Sequence, residues 1–381
     1  MIGLVEKAPH LRKKRTTFSM MMELLVCLLI LYAVALVFYF LQGGPNYTNT
    51  QYGLYALQNL GIGVAFAVLP DFLWYLSIFV QNRGDTVGQK FKEYFYKIIH
   101  SYSYISGIIL VLLLPIGLEW YEIAISAFFA VFVGKLVFGG FGSNVFNPAI
   151  VGRVFAQLVF SSHMTTYLGN TGPSLTGDIA SDISAGATIP GLVSSNGFSS
   201  LFDMPLWKMF LGDYYGALGE TFAYIIIILG IYLAIRKIID WRITLTYVVS
   251  LYVASLIMFI GFGAEPLQAF EGAFRYILMG GILFGGVFCL TDPVTSPTSR
   301  WGKIIFALVA ALFTLIIRLY TSAPEGVAYS ILIANLLTPL IDKCIKGRTN
   351  RTFMPYFTSL IFFLAVLAVG AAYGFTTEVV L

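Results

Sequence analysis

Long apolar runs, separated by short polar clusters, fill this chain almost from end to end. A helix that crosses a hydrocarbon core needs about 20 predominantly apolar residues. Runs of that kind recur near 20–41, 54–80, 102–118, 122–138, 146–162, 217–235, 243–263, 274–290, 303–320, 326–342 and 355–375. The pattern predicts an all-α integral membrane protein. The run Met20–Phe40 follows the basic stretch Arg12–Arg15, yet it is long enough to span and reads as a retained anchor rather than a cleaved signal.

One stretch departs from this rhythm. Residues 163–213 are rich in Ser, Gly, Thr and Asp, and loops longer than about 15 residues in a compact fold are usually functional or disordered. The stretch divides the chain into a first membrane repeat (1–162), the loop itself (163–213), a second membrane repeat (214–345) and an extra C-terminal crossing (346–381). The halves resemble each other weakly: Ser106–Pro115 pairs with Gly285–Pro293, and Asn144–Arg153 with Gly326–Asn335. Five crossings per repeat would invert one repeat against the other, and inverted repeats place sites near the midplane at broken helices.

Composition removes the soluble alternatives. Apolar residue types make up 58% of the 381 residues and charged types 11%, against about 25% charged in soluble domains. The net charge of +4 is small and scattered, so nucleic acid is not an expected partner. The placement of charge sets an orientation. With the N-terminus in the cytoplasm, most of the 23 basic residues fall on the cytoplasmic side, among them Arg12–Arg15, Lys90, Lys97, Arg236, Lys237, Arg242, Lys303 and Lys346. Glu119, Glu122, Asp178, Asp203 and Glu271 fall on the opposite face. Residues 163–213 and the C-terminus are then extracytoplasmic, and the expected location is the inner membrane.

Candidate chemistry is concentrated in a few places. Gly139–Arg153 (GGFGSNVFNPAIVGR) combines glycines, Asn144, Asn147 and Pro148 at a helix start; free amides at such a break bind an anion or a flavin edge, while close helix packing explains the glycines equally well. Thr291–Arg300 (TDPVTSPTSR) sets Asp292 at the end of a crossing, as an interfacial cap or as a contact for a cation or flavin ring. Arg153, Glu220, Lys135, Asp71, Glu325, Arg318 and Asp342 are ionisable residues inside or at the ends of crossings. Such charges are functional candidates, although those at helix ends also read as snorkelling side chains. Arg153 and Glu220 lie deepest and are a candidate pair. Asp182–Thr188 (DISAGAT), in the long loop, is by physics alone only a polar turn. Cys27, Cys289 and Cys344 are far apart and His10, His100 and His163 isolated, so no metal spacing is visible. No Walker motif is present, so pumping would need an energy source other than an ATP site in this chain.

Five ordered segments together carry a family resemblance: 104–115 (YISGIILVLLLP), 139–153, 182–188, 216–242 and 291–342. They resemble RnfD, a membrane component of the Rnf electron-transport complex, and its relative NqrB, from the sodium-translocating NADH:quinone oxidoreductase. TSP at 295–297, TPLID at 338–342 and GETFA at 219–223 lean toward the Rnf branch. The resemblance implies two inverted repeats of five helices; the extra crossing at 355–375 has no counterpart in it. It implies FMN joined by a phosphoester to Thr188, within a motif that includes Asp182, Ser184, Gly186 and Ala187, and made by a flavin transferase. Where the family carries Ser or Thr before the first glycine, this chain has Ala185. It also implies a second, noncovalent flavin, riboflavin, which we place near Asn144, Asn147 and Asp292. The implied activity is that of one component in a ferredoxin:NAD+ oxidoreductase that moves Na+ or H+. The implied partners are its sister subunits, among them an outer-face flavoprotein. Glu220, Asp292 and Glu325 are the expected ion-pathway residues. The rival readings are a quinone-reducing role, a secondary solute transporter without redox activity, and a non-catalytic scaffold.

Overall fold

The computed structural model describes residues 16–41, 49–78, 86–164, 202, 205–212, 216–261, 264–320 and 326–345, with a few helical positions between 358 and 366. Among the described residues every regular element is helical. The chain is an all-α integral membrane protein.

The first half runs α1 (Thr17–Leu41), α2 (Asn49–Tyr75), α3 (Val87–Ile99), α4 (Ser103–Leu113), α5 (Trp120–Gly134) and α6 (Pro148–Val159). The second runs α7 (Ala223–Ile235), α8 (Trp241–Gly261), α9 (Pro266–Leu278), α10 (Ile282–Cys289), α11 (Arg300–Tyr320) and α12 (Gly326–Ile345). Each half has two helices, then a pair separated by a short break, then two more.

The breaks have local causes. Thr86 opens α3 with a capping box: its hydroxyl accepts from the Gln89 N–H, and the Gln89 side chain accepts from the Thr86 N–H. α3 ends where Tyr102 takes a left-handed conformation (φ 57°). α4 then stops at Leu113 because Leu114, which precedes Pro115, is extended, the conformation that a following proline favours. In the second half Gly280 (φ 60°) turns the chain, and α9 and α10 meet at 64°. The last turn of α10 is widened, with the Leu290 N–H donating to the Gly285 carbonyl at 2.7 Å. Gly107 brings α4 against α2: a Cβ there would lie 2.8 Å from the Ala67 Cβ and 3.0 Å from the Gly63 carbonyl.

These breaks change how the apolar runs are divided into helices. Among the described residues, seven helical stretches, with α3 and α4 taken as one, are long and apolar enough to cross a membrane, and α9 with α10 forms an eighth, bent unit. α6 and α7 have 12 and 13 residues, or about 20 Å of helix at 1.5 Å per residue, short of a core about 30 Å thick. The run 274–290 is not one straight crossing, and 102–118 stops early. The segment read as a polar cytoplasmic connection contains α3, whose Tyr94 and Ile98 are buried while Lys97 pairs with Glu93 at the surface. The run at 355–375 lies mostly outside the described residues.

Polar contacts gather at the two ends. At one end Arg236 reaches Glu23 (2.8 Å), Lys303 reaches Asp240 (2.9 Å), and Thr298 donates to Asp342 (3.2 Å). At the other, Glu122 meets His163 (2.6 Å) and Arg275 meets Glu271. Arg236 and Lys303, from two different connections, thus share one end.

Candidate functional site

The GGFG segment sets up the site. Gly139, Gly140 and Gly142 have φ of 109°, 93° and 92°, a region in which a side chain would be strained. Their turns carry the chain from α5 across to Asn147, which caps α6: its Oδ1 accepts from the Ala149 N–H at 3.1 Å. Its Nδ2 donates to the Cys289 carbonyl at 3.1 Å, at the end of α10. One buried asparagine therefore joins the start of a first-half helix to the end of a second-half helix. Asn144 donates from Nδ2 to the Phe146 carbonyl at 3.0 Å. Asp292 accepts the Val294 N–H at 3.1 Å, and Thr291 donates to the Val287 carbonyl, closing the turn after α10.

These residues line a cavity of about 490 Å³. Asn144, Asn147 and Asp292 all lie on its wall, so the structure brings together the three residues singled out around a second ligand. Met20, Met21, Ile105, Ile109 and Phe288 supply apolar surface, and Lys135 and Lys237 add positive charge. Lys135 is buried and donates to the Ser101 carbonyl, to Ser101 Oγ at 2.9 Å and to Ser103 Oγ at 2.8 Å. It thereby satisfies the carbonyl left open where α3 ends. Arg318 does the same at the other break, donating to the Met279 carbonyl at 3.1 Å and lying over the Tyr276 ring at 5.4 Å.

Glu220 occupies a second polar centre. It is 5% exposed, on a turn whose backbone fills the carbonyls freed at the end of α4: the Gly219 N–H donates to Leu112 at 2.8 Å and the Leu218 N–H to Leu114 at 3.2 Å. Gly281 makes room for it, since a Cβ there would lie 2.6 Å from Glu220 Oε1. Arg153 and Arg318 both act on Glu220 through their charge, while Arg153 Nη1 donates to Gln157 Oε1 at 3.2 Å. Cys289, between the two centres, feels both Glu220 and Asp292. Glu325 lies outside the described residues, as do Thr188, Asp182, Ser184, Gly186 and Ala187.

Other charged residues turn out differently from their reading as helix-end side chains. Asp342 is held by Thr298, tying α12 to the loop after Asp292. Asp71 and Lys135 do not snorkel: they are 0% and 2% exposed. Ser101 and Ser103, which complete the Lys135 environment, went unnoticed because single serines between two apolar segments carry no pattern. The arrangement as a whole is an apolar slot with amide, carboxylate and ammonium groups at its edge. That suits a flat ligand with a polar rim.

Comparison with known proteins gives a consistent result. Residues 4–351 match the family described as NQR2, RnfD, RnfE. The chain is 31% identical over 346 residues to the D component of the Na(+)-translocating ferredoxin:NAD(+) oxidoreductase complex of Acetobacterium woodii, covering 90% of this chain and 94% of that protein. It is 31% identical over 348 residues to the D component of the proton-translocating ferredoxin:NAD(+) oxidoreductase complex of Clostridium ljungdahlii, covering 90% and 94%. The B component of the Na(+)-translocating NADH-quinone reductase of Chromohalobacter salexigens is 31% identical over 268 residues, 70% of this chain and 60% of that protein.

Proposed function

Because the chain belongs to the NQR2, RnfD, RnfE family, we propose that it is the flavin-carrying membrane subunit of a redox-driven, ion-translocating ferredoxin:NAD+ oxidoreductase complex. The two relatives matched over nearly their whole length are named as components of such complexes. In this reading the chain works with its sister subunits in the inner membrane, and an outer-face flavoprotein is one of them. Its N-terminus faces the cytoplasm, while residues 163–213 and the C-terminus face outward. A flavin transferase attaches FMN to Thr188. One of these relatives is named for Na+ and the other for H+ at equal identity, so the transported ion is left as either.

The observation that carries the reading is the pocket. A slot of about 490 Å³ falls within the range of about 300–1,000 Å³ usual for small-molecule sites, and its donor set suits riboflavin. Bound there, a flavin supplies the capacity to accept and release electrons. The chain supplies the rest. Asn144 commits one amide hydrogen to Phe146 and keeps capacity for a ring edge. Asn147, engaged on both sides, fixes the position of the wall. Lys135 and Asp292 set the local field, and the methionines and isoleucines exclude water. Glu220, Asp292 and Glu325 form the ion route.

Acid extraction of the purified chain tests the pocket. It should release riboflavin in stoichiometric amount, and Asn144→Leu should reduce that yield about tenfold, the equivalent of about 1.4 kcal/mol. A wild-type chain with no extractable flavin would favour a solute transporter and defeat the assignment.

A further inference from the structure

Asp71 sits near the end of α2 with no exposed surface, and among the described residues neither of its carboxyl oxygens makes a direct hydrogen bond, the Ser101 and Ser103 hydroxyls acting on it from farther off. It lies against the break between α3 and α4, where Ser101, Ser103 and Lys135 converge. An ammonium has three N–H donors. Lys135 directs hydrogen bonds at Ser101 O, Ser101 Oγ and Ser103 Oγ, so Asp71 receives its charge but none of those hydrogens. Lys135 also stands in the wall of the pocket, with Asp292 in electrostatic reach on that side. One ammonium therefore serves two carboxyl groups, Asp292 lining the pocket and Asp71 behind the wall.

Among the described residues, the other ionisable groups near α2 are engaged elsewhere. Glu93 pairs with Lys97 on α3 at 2.9 Å, Glu23 of α1 with Arg236 at 2.8 Å, and Glu122 of α5 with His163 at 2.6 Å. His100 stacks on Tyr96 at 3.9 Å. Tyr75, one turn along α2, is the further titratable group beside Asp71. The charge state of Asp71 thus rests on two opposed influences: exclusion from water disfavours the carboxylate, and Lys135 favours it.

We propose that Asp71 is a proton-binding site of this chain, filled when negative charge is added to the neighbouring pocket and emptied when that charge leaves, with Lys135 as the electrostatic link. The proposal rests on the pocket being the seat of a redox ligand. With the pocket neutral, the Lys135 ammonium sustains the carboxylate at Asp71. Negative charge in the pocket draws on the same ammonium, and in a low-dielectric setting that competition is strong. One proton from water then binds an Asp71 oxygen for each negative charge retained, and no bond between heavy atoms changes. Asp71 is not one of the residues of the ion route. It balances charge whichever cation crosses the membrane.

The test is the infrared difference spectrum of the assembled complex, reduced minus oxidised, in water and in heavy water. A protonated-carboxyl C=O band should appear on reduction and shift in heavy water. It should be lost in Asp71→Asn and displaced in Asp71→Glu. A band that persists unchanged in either variant overturns the proposal, as does its absence from wild-type complex that contains riboflavin. Asp71→Glu serves alone if the asparagine variant does not assemble. Flavin extracted from the same wild-type preparation separates the two claims: no riboflavin defeats the pocket reading, whereas riboflavin without the band defeats only the role of Asp71.

Discussion

Replacement of Asn147 isolates the contact that joins the two halves of the molecule. Its Oδ1 caps α6 and its Nδ2 donates to the Cys289 carbonyl, each at 3.1 Å, in a residue 4% exposed. Serine retains a capping oxygen but cannot reach Cys289. The loss is then the interhelical hydrogen bond, about 0.6 to 1 kcal/mol in a membrane protein. Alanine loses the cap as well, a further ~1 kcal/mol, for about 2 kcal/mol in all. Aspartate keeps the acceptor yet sets a buried carboxylate against a carbonyl oxygen, which costs about 3 kcal/mol or more when no partner is present. The expected order of stability is wild type, Ser, Ala, Asp. Thermal unfolding of the purified chain in detergent measures it, at roughly 2 °C per kcal/mol for a chain of this size. An aspartate variant as stable as wild type would refute the bridge to Cys289, and equal midpoints for Ser and Ala would refute the cap.

Other outcomes follow from the same geometry. Asp240 is partly withdrawn from water, which alone would raise its pKa, but hydrogen bonds from Lys303 and the Arg242 N–H, with the charges of both side chains, hold it below the ordinary carboxylate value. That stabilisation is present above about pH 4 and is lost as pH falls through the lowered folded value. Asp240→Asn should therefore be less stable than wild type at neutral pH, and the gap should close in acid unfolding curves; a constant gap would reject it. Gly152→Ala should destabilise by about 1–3 kcal/mol, because its Cβ would meet the Ala130 Cβ at 2.6 Å, whereas Gly61→Ala, with no atom within 4 Å, should gain up to about 1 kcal/mol; matching melting shifts would show that packing does not discriminate them. Glu220→Gln, Asp292→Asn and Glu325→Gln, made one at a time, should abolish ion transport by the reconstituted complex and leave the covalent flavin at Thr188 in place, and unchanged transport in all three would remove them from the ion route.

Some of this was legible in the sequence because lipid imposes length. α1, α8, α11 and α12 are long apolar runs with polar ends and stand close to where the pattern puts them. α3 and the first turns of α9 were not legible, because an amphipathic helix interrupts an apolar run with charges such as Lys92, Lys97, Glu271 and Arg275. The bend at Gly280 was hidden for another reason: hydropathy does not record φ, and Met279–Gly281 is apolar on both sides. At the site, three glycines with positive φ in four residues advertised a backbone turn, and Asn144 and Asn147 came with it. Asp292 was visible through its prolines. The environment of Lys135 was not, because Asp71, Ser101 and Ser103 come from segments that only the tertiary fold brings together. Glu220 stood out as a charge in an apolar context, but its relation to Gly281 and Arg318 depends on the second break.

A covalently held flavin is the most direct mark of a redox subunit. It is read from the chain after full denaturation and gel electrophoresis, under ultraviolet light, with protein made in a host that has the flavin transferase. The wild-type band should fluoresce and Thr188→Ala should be dark. A dark wild-type band, or a Thr188→Ala band as bright as wild type, would contradict the account.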